Sequence, residues 1–506
     1  MKHFWSIAPL FLLDALHAQT DTARMQSAGL DALICADGSW GKQNQAGLRV
    51  VHHATAMPLI QKLGYWLTAK DGSGTMVGSV QDVFSDSTDF QPGPLGLRGS
   101  LPANTADWNE VFTADAATIG SHRQTFRTPG YQVPRALMRW PANGKQGFDP
   151  VLAPYVDFDQ NGTYNPDAGD YPYFTGNTCA YTLSNDQKHV KPGTGKAPGI
   201  EVQQLVRAFE GDGLQDAGLI MRFTIHNRSL VSYYGMRFSL VADFAVGSNG
   251  DDFLLTDVGN HALVAYNGAA QDPLFGSGIP ACALMLLNKQ AGASMYFEAG
   301  ADAVKGQPVL ISDYYNLARA RWKTGKPLAY GNAGLDGLLP AGFVYSNGTD
   351  PQFASTWNEW EAANFPGRRT GLISTDDFDL PAGASMLVEV SVAALNGIGN
   401  DPKQVSAQLQ KYRQNASRLL ANQSGKPQVQ SPLFLQKGTM LELRPPRPNA
   451  AMQLDFYRLN GVKLGSYCIL NASSFNLKNL PEEGLMLLVA TSENQSSRGI
   501  ITKVQN

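Results

Sequence analysis

Ile200-Glu-Val-Gln-Gln-Leu-Val-Arg-Ala-Phe209, then the turn Gly211-Asp-Gly213, then Ala217-Gly-Leu-Ile-Met-Arg-Phe-Thr-Ile-His-Asn-Arg-Ser229, is the stretch that decides the fold class. Two long apolar-rich runs separated by a glycine turn read as paired strands. Tyr234–Phe244 alternates as a third strand, and 262–266, 283–287, 341–345 and 386–394 are further candidates, spaced for a sandwich and not for a βαβ fold. Upstream, Gly64–Ala69, the turn 70–74 and Thr75–Val80 repeat strand, turn, strand, and Asp89-Phe-Gln-Pro-Gly-Pro-Leu95 reads as a rigid loop. The expected fold is mainly β, an antiparallel β-sandwich-type body with a few helices. One helix is expected within 107–125, from Trp108, Val111, Phe112, Ala116 and Ile119. A second is expected over 402–421, where Val405, Leu409, Tyr412, Ala416, Leu419 and Leu420 recur at three and four, with Pro402 in the first turn.

The composition narrows the function classes. The 506 residues leave room for about three domains. Lys+Arg total 40 against 43 Asp+Glu, a net charge of -3 with no basic run, so the electrostatic footprint of a nucleic-acid binder is missing. Residues 1–18 carry Lys2 and His3, an apolar run from Phe4 to Leu13 and small Ala18 at the exit, the order of a secretory signal peptide. No later stretch reaches the roughly 18 apolar residues of a membrane helix. Cys35, Cys179, Cys282 and Cys468 are scattered, with neither zinc-site spacing nor a disulfide framework; Cys468 is expected unpaired.

The chemistry-bearing motif is Tyr155-Val-Asp-Phe-Asp-Gln-Asn-Gly-Thr-Tyr-Asn-Pro-Asp-Ala-Gly-Asp-Tyr-Pro172. Asp157, Asp159 and Asn161 stand at alternate positions before Gly162, the pattern by which a short loop turns several oxygens toward one hard cation, Ca²⁺. Thr163 offers its carbonyl, and Asp167 or Asp170 closes the shell. Position 12 of an EF-hand would be Ala168, and Pro154, Pro166 and Pro172 oppose flanking helices, so the expected object is a helix-free calcium loop stapling a β domain. A metal-free cluster of Asx turns uses the same residues.

Downstream of the Gln-, Ser-, Gly- and Pro-rich linker 423–432, residues 433–506 have a strand pattern of their own, with Asn460-Gly461 as a hairpin turn. Asp455-Phe-Tyr-Arg-Leu-Asn-Gly461, Phe475-Asn-Leu-Lys-Asn-Leu-Pro-Glu-Glu-Gly484 and Ile500-Ile-Thr-Lys-Val504 resemble the type A C-terminal sorting domain of the type IX secretion system of Bacteroidota. The usual Pro-Asn-Pro start is reduced to Arg447-Pro-Asn449. The resemblance implies a small Ig-like β-sandwich at 433–506, outer-membrane type IX secretion machinery as partner, and a secreted or outer-membrane-attached product that passes the periplasm. The body resembles large uncharacterised surface proteins of that route through Asp89–Leu95, Pro129-Gly-Tyr-Gln-Val-Pro134, Ala153–Asp159 and Gly199–Gln203. Their second acidic block corresponds to Asp243, Asp251, Asp252 and Asp257, with Ala245 in place of an Asp. By this reading 19–172 is a β-rich region ending in the calcium loop, and 173–422 is the main β-rich region.

No Gly-x-Ser-x-Gly, His-Glu-x-x-His or Walker pattern is present. Glu359 and Glu361 are the nearest approach to a glycosidase carboxylate pair, and Trp357 and Trp360 to a sugar platform, although core packing accounts for such tryptophans too. Two functions remain: a non-catalytic extracellular protein binding a glycan or a surface protein, and a secreted hydrolase acting on polysaccharide or protein.

Overall fold

The computed structural model describes residues 21–421, apart from 28, 53–54, 97–98, 145–146, 190–194, 211–217, 249, 354, 397 and 399–400, and most of the strands between 434 and 503. The signal segment 1–18, the linker 423–432 and the turns at 211–213 and 460–461 lie outside the described residues, as does the side chain of Cys468. The other three cysteines are buried free thiols.

The protein is mainly β and its sheets are antiparallel. One nine-stranded sheet runs Thr22–Ser27, Leu30–Cys35, Leu48–His52, Thr55–Lys70, Tyr233–Phe244, Arg369–Thr375 and Ala291–Phe297, with Met76–Val80 and Phe378–Leu380 alongside. The second runs Asp252–Asp257, Ala262–Asn267, Ala281–Leu286, Ser385–Leu395, Leu219–Asn227, Ile200–Ala208, Thr178–Asn185 and Gln91–Pro92, with Phe112–Asp115 on Thr178–Asn185. The described parts of 19–172 and 173–422 therefore build one sandwich, since Thr55–Lys70 pairs with Tyr233–Phe244 in the middle of the first sheet.

The period of two explains the layers. Leu219, Met221, Phe223 and Ile225 enter the core between the sheets, while Arg222, Thr224 and His226 point away. Tyr65 and Phe238 from the first sheet meet Phe223 from the second at 5.4 and 4.9 Å, and Tyr65 also contacts Phe90 at 4.8 Å. Inter-sheet hydrogen bonds finish the contact: Tyr65 Oη with Ser184 Oγ at 3.2 Å, and Ser79 Oγ to Asp186 Oδ2 at 3.0 Å.

The outer faces are covered by the chain's few helices. On the first sheet, α3 (Ile311–Leu317) sets Tyr314 edge-on to Trp66 at 4.8 Å. On the second, α4 (Val405–Ala421) buries Val405, Leu409, Tyr412 and Ala416 against Ile220, Val264, Ala283 and Ala393. Each such side chain removed from water contributes about 1.5–3 kcal/mol, which is why the three-four spacing of this segment reads true. A second covering, with α1 (Ala116–Thr125) and α2 (Arg135–Met138), places Trp140, Leu152 and Tyr164 against Tyr181, Leu183 and Leu205.

Two elements depart from expectation. The segment 107–125 is not one helix: Phe112–Asp115 is a strand on Thr178–Asn185, and helix begins at Ala116, capped by Asp115 accepting from Thr118 N at 2.7 Å. A free sheet edge and a good N-cap together outweigh the apolar spacing there. Residues 341–345 form bends and turns, with Tyr345 at φ 47, a left-handed conformation that ends a strand.

At the C-terminus, Phe434–Lys437, Met440–Leu443 and Ser474–Asn476 form one small sheet, and Lys463–Ile469, Met452–Arg458, Gly484–Ser492 and Gln495–Lys503 another. Leu441, Leu454, Phe456, Phe475 and Leu477 fill the space between them, a compact sandwich with its own core. Gln495–Lys503 is an edge strand. No helix among the described residues is long and apolar enough to cross a membrane.

Candidate metal centre

The 155–172 loop is closed at its neck by a two-residue antiparallel bridge, Tyr155 opposite Pro172 and Val156 opposite Tyr171. Between the neck residues the chain makes turns dictated by its Asp, Asn and Gly content. Asp157 accepts from Gly162 N at 2.8 Å and from Asn161 N at 3.1 Å, and Asn161 Oδ1 accepts from Thr163 N at 2.7 Å. Gly162, at φ 79, supplies the left-handed step that a side chain resists. Pro166–Ala168 is a single 3-10 turn, capped by Asn165 and ended by Gly169 at φ 107. A Cβ on Gly169 would stand 2.8 Å from the Phe126 ring, so glycine here also permits the loop to seat against α1.

Asp157, Asp159 and Asp170 converge: one carboxylate oxygen of each lies within 4.8 Å of the others. Oxygens bound to one Ca²⁺ at 2.3–2.6 Å stand at most about 5 Å apart, and the three carboxylates fall within that limit. Asp170 is fully buried and accepts from Phe158 N and Asn165 N, both at 2.7 Å. Burial pushes its carboxyl above the ordinary carboxylate range; the N–H donors pull the other way, and the charges of Asp157 and Asp159 push it up again. The same burial and the same three carboxylates push the Tyr155 phenol up to about 12. Among the described residues no lysine, arginine or histidine pairs with any of the three carboxylates. A bound divalent cation would relieve that repulsion, and each carboxylate retains lone pairs for it.

Of the two expected closing residues, Asp170 joins the cluster, while the exposed Asp167 lies outside the converging group. Asn161 is at the rim, its amide nitrogen donating to Asp159 Oδ2 at 2.7 Å, and Thr163 is exposed beside it. The supports of the loop are not legible in the motif. Asn143 clasps the Tyr164 backbone with two 2.8 Å hydrogen bonds, Tyr164 Oη donates to Leu137 O at 2.7 Å, and the Arg127 guanidinium covers Phe126 and Phe158 at 5.1 and 5.4 Å. Only a sequence separation of about twenty residues hides Asn143, since asparagine in a loop signals nothing by itself.

The other acidic groups are differently employed. Asp243 is held by Arg368 Nε at 2.8 Å, Asp257 accepts from Asn260 N at 2.9 Å, Asp252 from Val246 N at 3.1 Å, and Asp251 from Ser248 Oγ at 3.1 Å. Those four form no converging group. Glu359 and Glu361 lie on a turn and not on one face of a strand: Glu359 is buried and bound by Arg369 Nη2 at 2.6 Å, while Glu361 is exposed. Trp357 is core, donating through Nε1 to Asn332 O at 2.9 Å, whereas Trp360 is on the surface.

No family model and no curated protein matches this chain. Among solved structures, a polysaccharide lyase aligns over 60% of this chain and 34% of its own at 11% identity, with a TM-score of 0.21. The N-terminal periplasmic domain of ScsB from Proteus mirabilis aligns over 57% of this chain and 94% of its own at 9% identity, with a TM-score of 0.09. The chain spans about a third of the lyase structure, and at these scores neither likeness carries an argument about fold or function. The conclusion that stands is architectural: a mainly β, antiparallel protein.

Proposed function

We propose that this is a non-catalytic protein of the cell exterior, a β-sandwich stiffened by one Ca²⁺ in the 157–170 loop, that binds a glycan or a surface protein. The observation that supports it is the convergence of Asp157, Asp159 and Asp170 without a basic partner, on a loop seated against the covering of the second sheet. Asp157, Asp159, Asp170 and Asn161 would hold the ion, with the Thr163 carbonyl completing the shell; bound, the ion supplies rigidity. Export would follow from the signal segment at 1–18, and type IX machinery would read the module at 433–506, with the edge strand Gln495–Lys503 presenting its backbone for pairing. Two experiments test the reading. Deleting 433–506 in a host with that secretion system should leave the body in the periplasm, and normal export of the truncated chain would refute the route. A hydrolase panel should return no turnover; turnover abolished by a single carboxylate substitution would replace binding with hydrolysis.

A further inference from the structure

A cavity of about 340 Å³ lies between α1 and the 157–170 loop, lined by Gly120, Arg123 and Gln124 of the helix, Phe126 just after it, and Phe158 and Gly169 of the loop. It stays open on the helix side because residue 120 has no side chain. Position 120 is in the interior of a ten-residue helix, where glycine weakens the structure relative to alanine. Gly120 is not among the glycines with positive φ, and a Cβ there would meet no atom within 4 Å. Neither backbone conformation nor packing within the chain therefore calls for glycine at this position. What its absence of a side chain secures is the empty space beside it.

The charge beside this space has a definite sign. The Arg123 guanidinium rests 5.2 Å from the Tyr171 ring, and that of Arg127 covers Phe126 and Phe158. Among the described residues neither guanidinium has an ion pair or a hydrogen bond, so both keep their N–H donors while aromatic rings hold them in place. A free guanidinium grips an oxyanion at two points. Phe126 and the half-exposed Phe158 add an apolar wall, and Gln124 can both donate and accept. A fitting ligand carries an anion together with C–H groups and hydroxyls, and the volume, near the lower end for ligand cavities, suits one compact ring. The loop couples this cavity to the metal centre. Phe158 stands between Asp157 and Asp159, and Gly169 precedes Asp170, so the wall is built from the neighbours of the three converging carboxylates. Without an ion those carboxylates oppose an incoming anion from within a Debye length; a bound Ca²⁺ offsets two of their charges and fixes the wall.

We propose that this cavity binds an acidic sugar, a pyranose ring bearing a carboxylate or a sulfate, and that Ca²⁺ in the 157–170 loop switches the binding on. The proposal rests on the binding reading above and on its calcium loop, and names the ligand class and the site. The full chain in calcium is titrated calorimetrically with galacturonate and glucuronate disaccharides, a sulfated galactose disaccharide, the neutral galactose disaccharide and hexaglutamate. At least one acidic sugar should bind, the tighter of carboxylate and sulfate naming the group, and the neutral disaccharide should not. Arg123→Gln and Arg127→Gln, both at exposed positions, should each weaken binding about tenfold, whereas Arg418→Gln, which removes an exposed charge from α4, should leave it unchanged. Gly120→Leu replaces a helix-weakening residue at an unobstructed position, so the fold survives while the filled cavity loses the sugar. Asp159→Ala, in the same calcium buffer, should weaken the sugar about fivefold or more. Calcium titrated into the parent without sugar reads the loop by itself. Ion uptake with no acidic sugar bound overturns the cavity site and leaves the calcium loop standing, and a flat calcium titration overturns both. Parental sugar affinity in Gly120→Leu overturns the site, and parental affinity in Asp159→Ala overturns the switch. Hexaglutamate bound more tightly than every sugar overturns the sugar in favour of an acidic protein segment.

Discussion

The backbone N–H of Phe158 donates to Asp170 Oδ1 at 2.7 Å, so the carboxylate that closes the 157–170 loop is fixed from the loop's own opening turn. Asn165 N does the same to Oδ2, and the buried anion is held in place by dipoles before any ion arrives. Asp170→Asn keeps the shape but turns an amide N–H₂ toward one of those donors. The variant should lose about 1–3 kcal/mol of stability and its melting temperature should no longer respond to calcium; thermal melts in calcium and in EDTA check both.

Glu359 and Arg369 form the second fixed point. Glu359 Oε1 also accepts from Leu254 N at 2.7 Å, so the pair ties the turn that carries Trp360 to the edge of the second sheet. Removing one partner strands the other. Arg369→Met should cost about 3–5 kcal/mol, and the double change with Glu359→Gln less than the two single changes added together. Chemical denaturation of the four proteins gives the cycle.

His226 predicts a pH dependence. Its Nδ1 lies 2.6 Å from Ser385 Oγ, and burial, with Arg228 nearby, lowers its pKa to about 3 from 6.5. The fold therefore binds the neutral ring, and the unfolded chain takes up the proton first. The stabilisation is complete above pH 6.5 and is lost as the pH falls from there toward 3. Between pH 6.5 and 5 the loss is on the order of 2 kcal/mol, read as the difference between the parent and His226→Asn, so that the buried carboxyls, which titrate with the opposite sign, cancel.

The sequence made the strands plain where both faces had distinct jobs. Leu219, Met221, Phe223 and Ile225 separate cleanly from Arg222, Thr224 and His226, and the core confirms the split. It hid strands such as Thr178–Asn185, which is buried on both faces by the α1–α2 covering and so shows no clean alternation. At the candidate metal centre, Asp157 and Asp159 were legible because a turn imposes local spacing, while the choice between Asp167 and Asp170 was not. Asn143, Tyr164 and Arg127 were not, because their roles come from tertiary contact. The pairing of Glu359 with Arg369 was invisible for a similar reason: nothing local distinguishes a carboxylate bound for a buried ion pair from one bound for a catalytic site.

The central claim is the calcium staple, and calorimetric titration of Ca²⁺ into the EDTA-stripped, dialysed protein tests it most directly. One ion per chain should bind with a dissociation constant on the order of 10⁻⁵ to 10⁻³ M, and saturation near a hundred times that constant should add about 2.7 kcal/mol of stability. Asp159→Ala should abolish both effects. A flat titration, together with identical melting curves in calcium and in EDTA for the parent and for Asp159→Ala, would contradict the account and leave 157–170 as a cluster of turns.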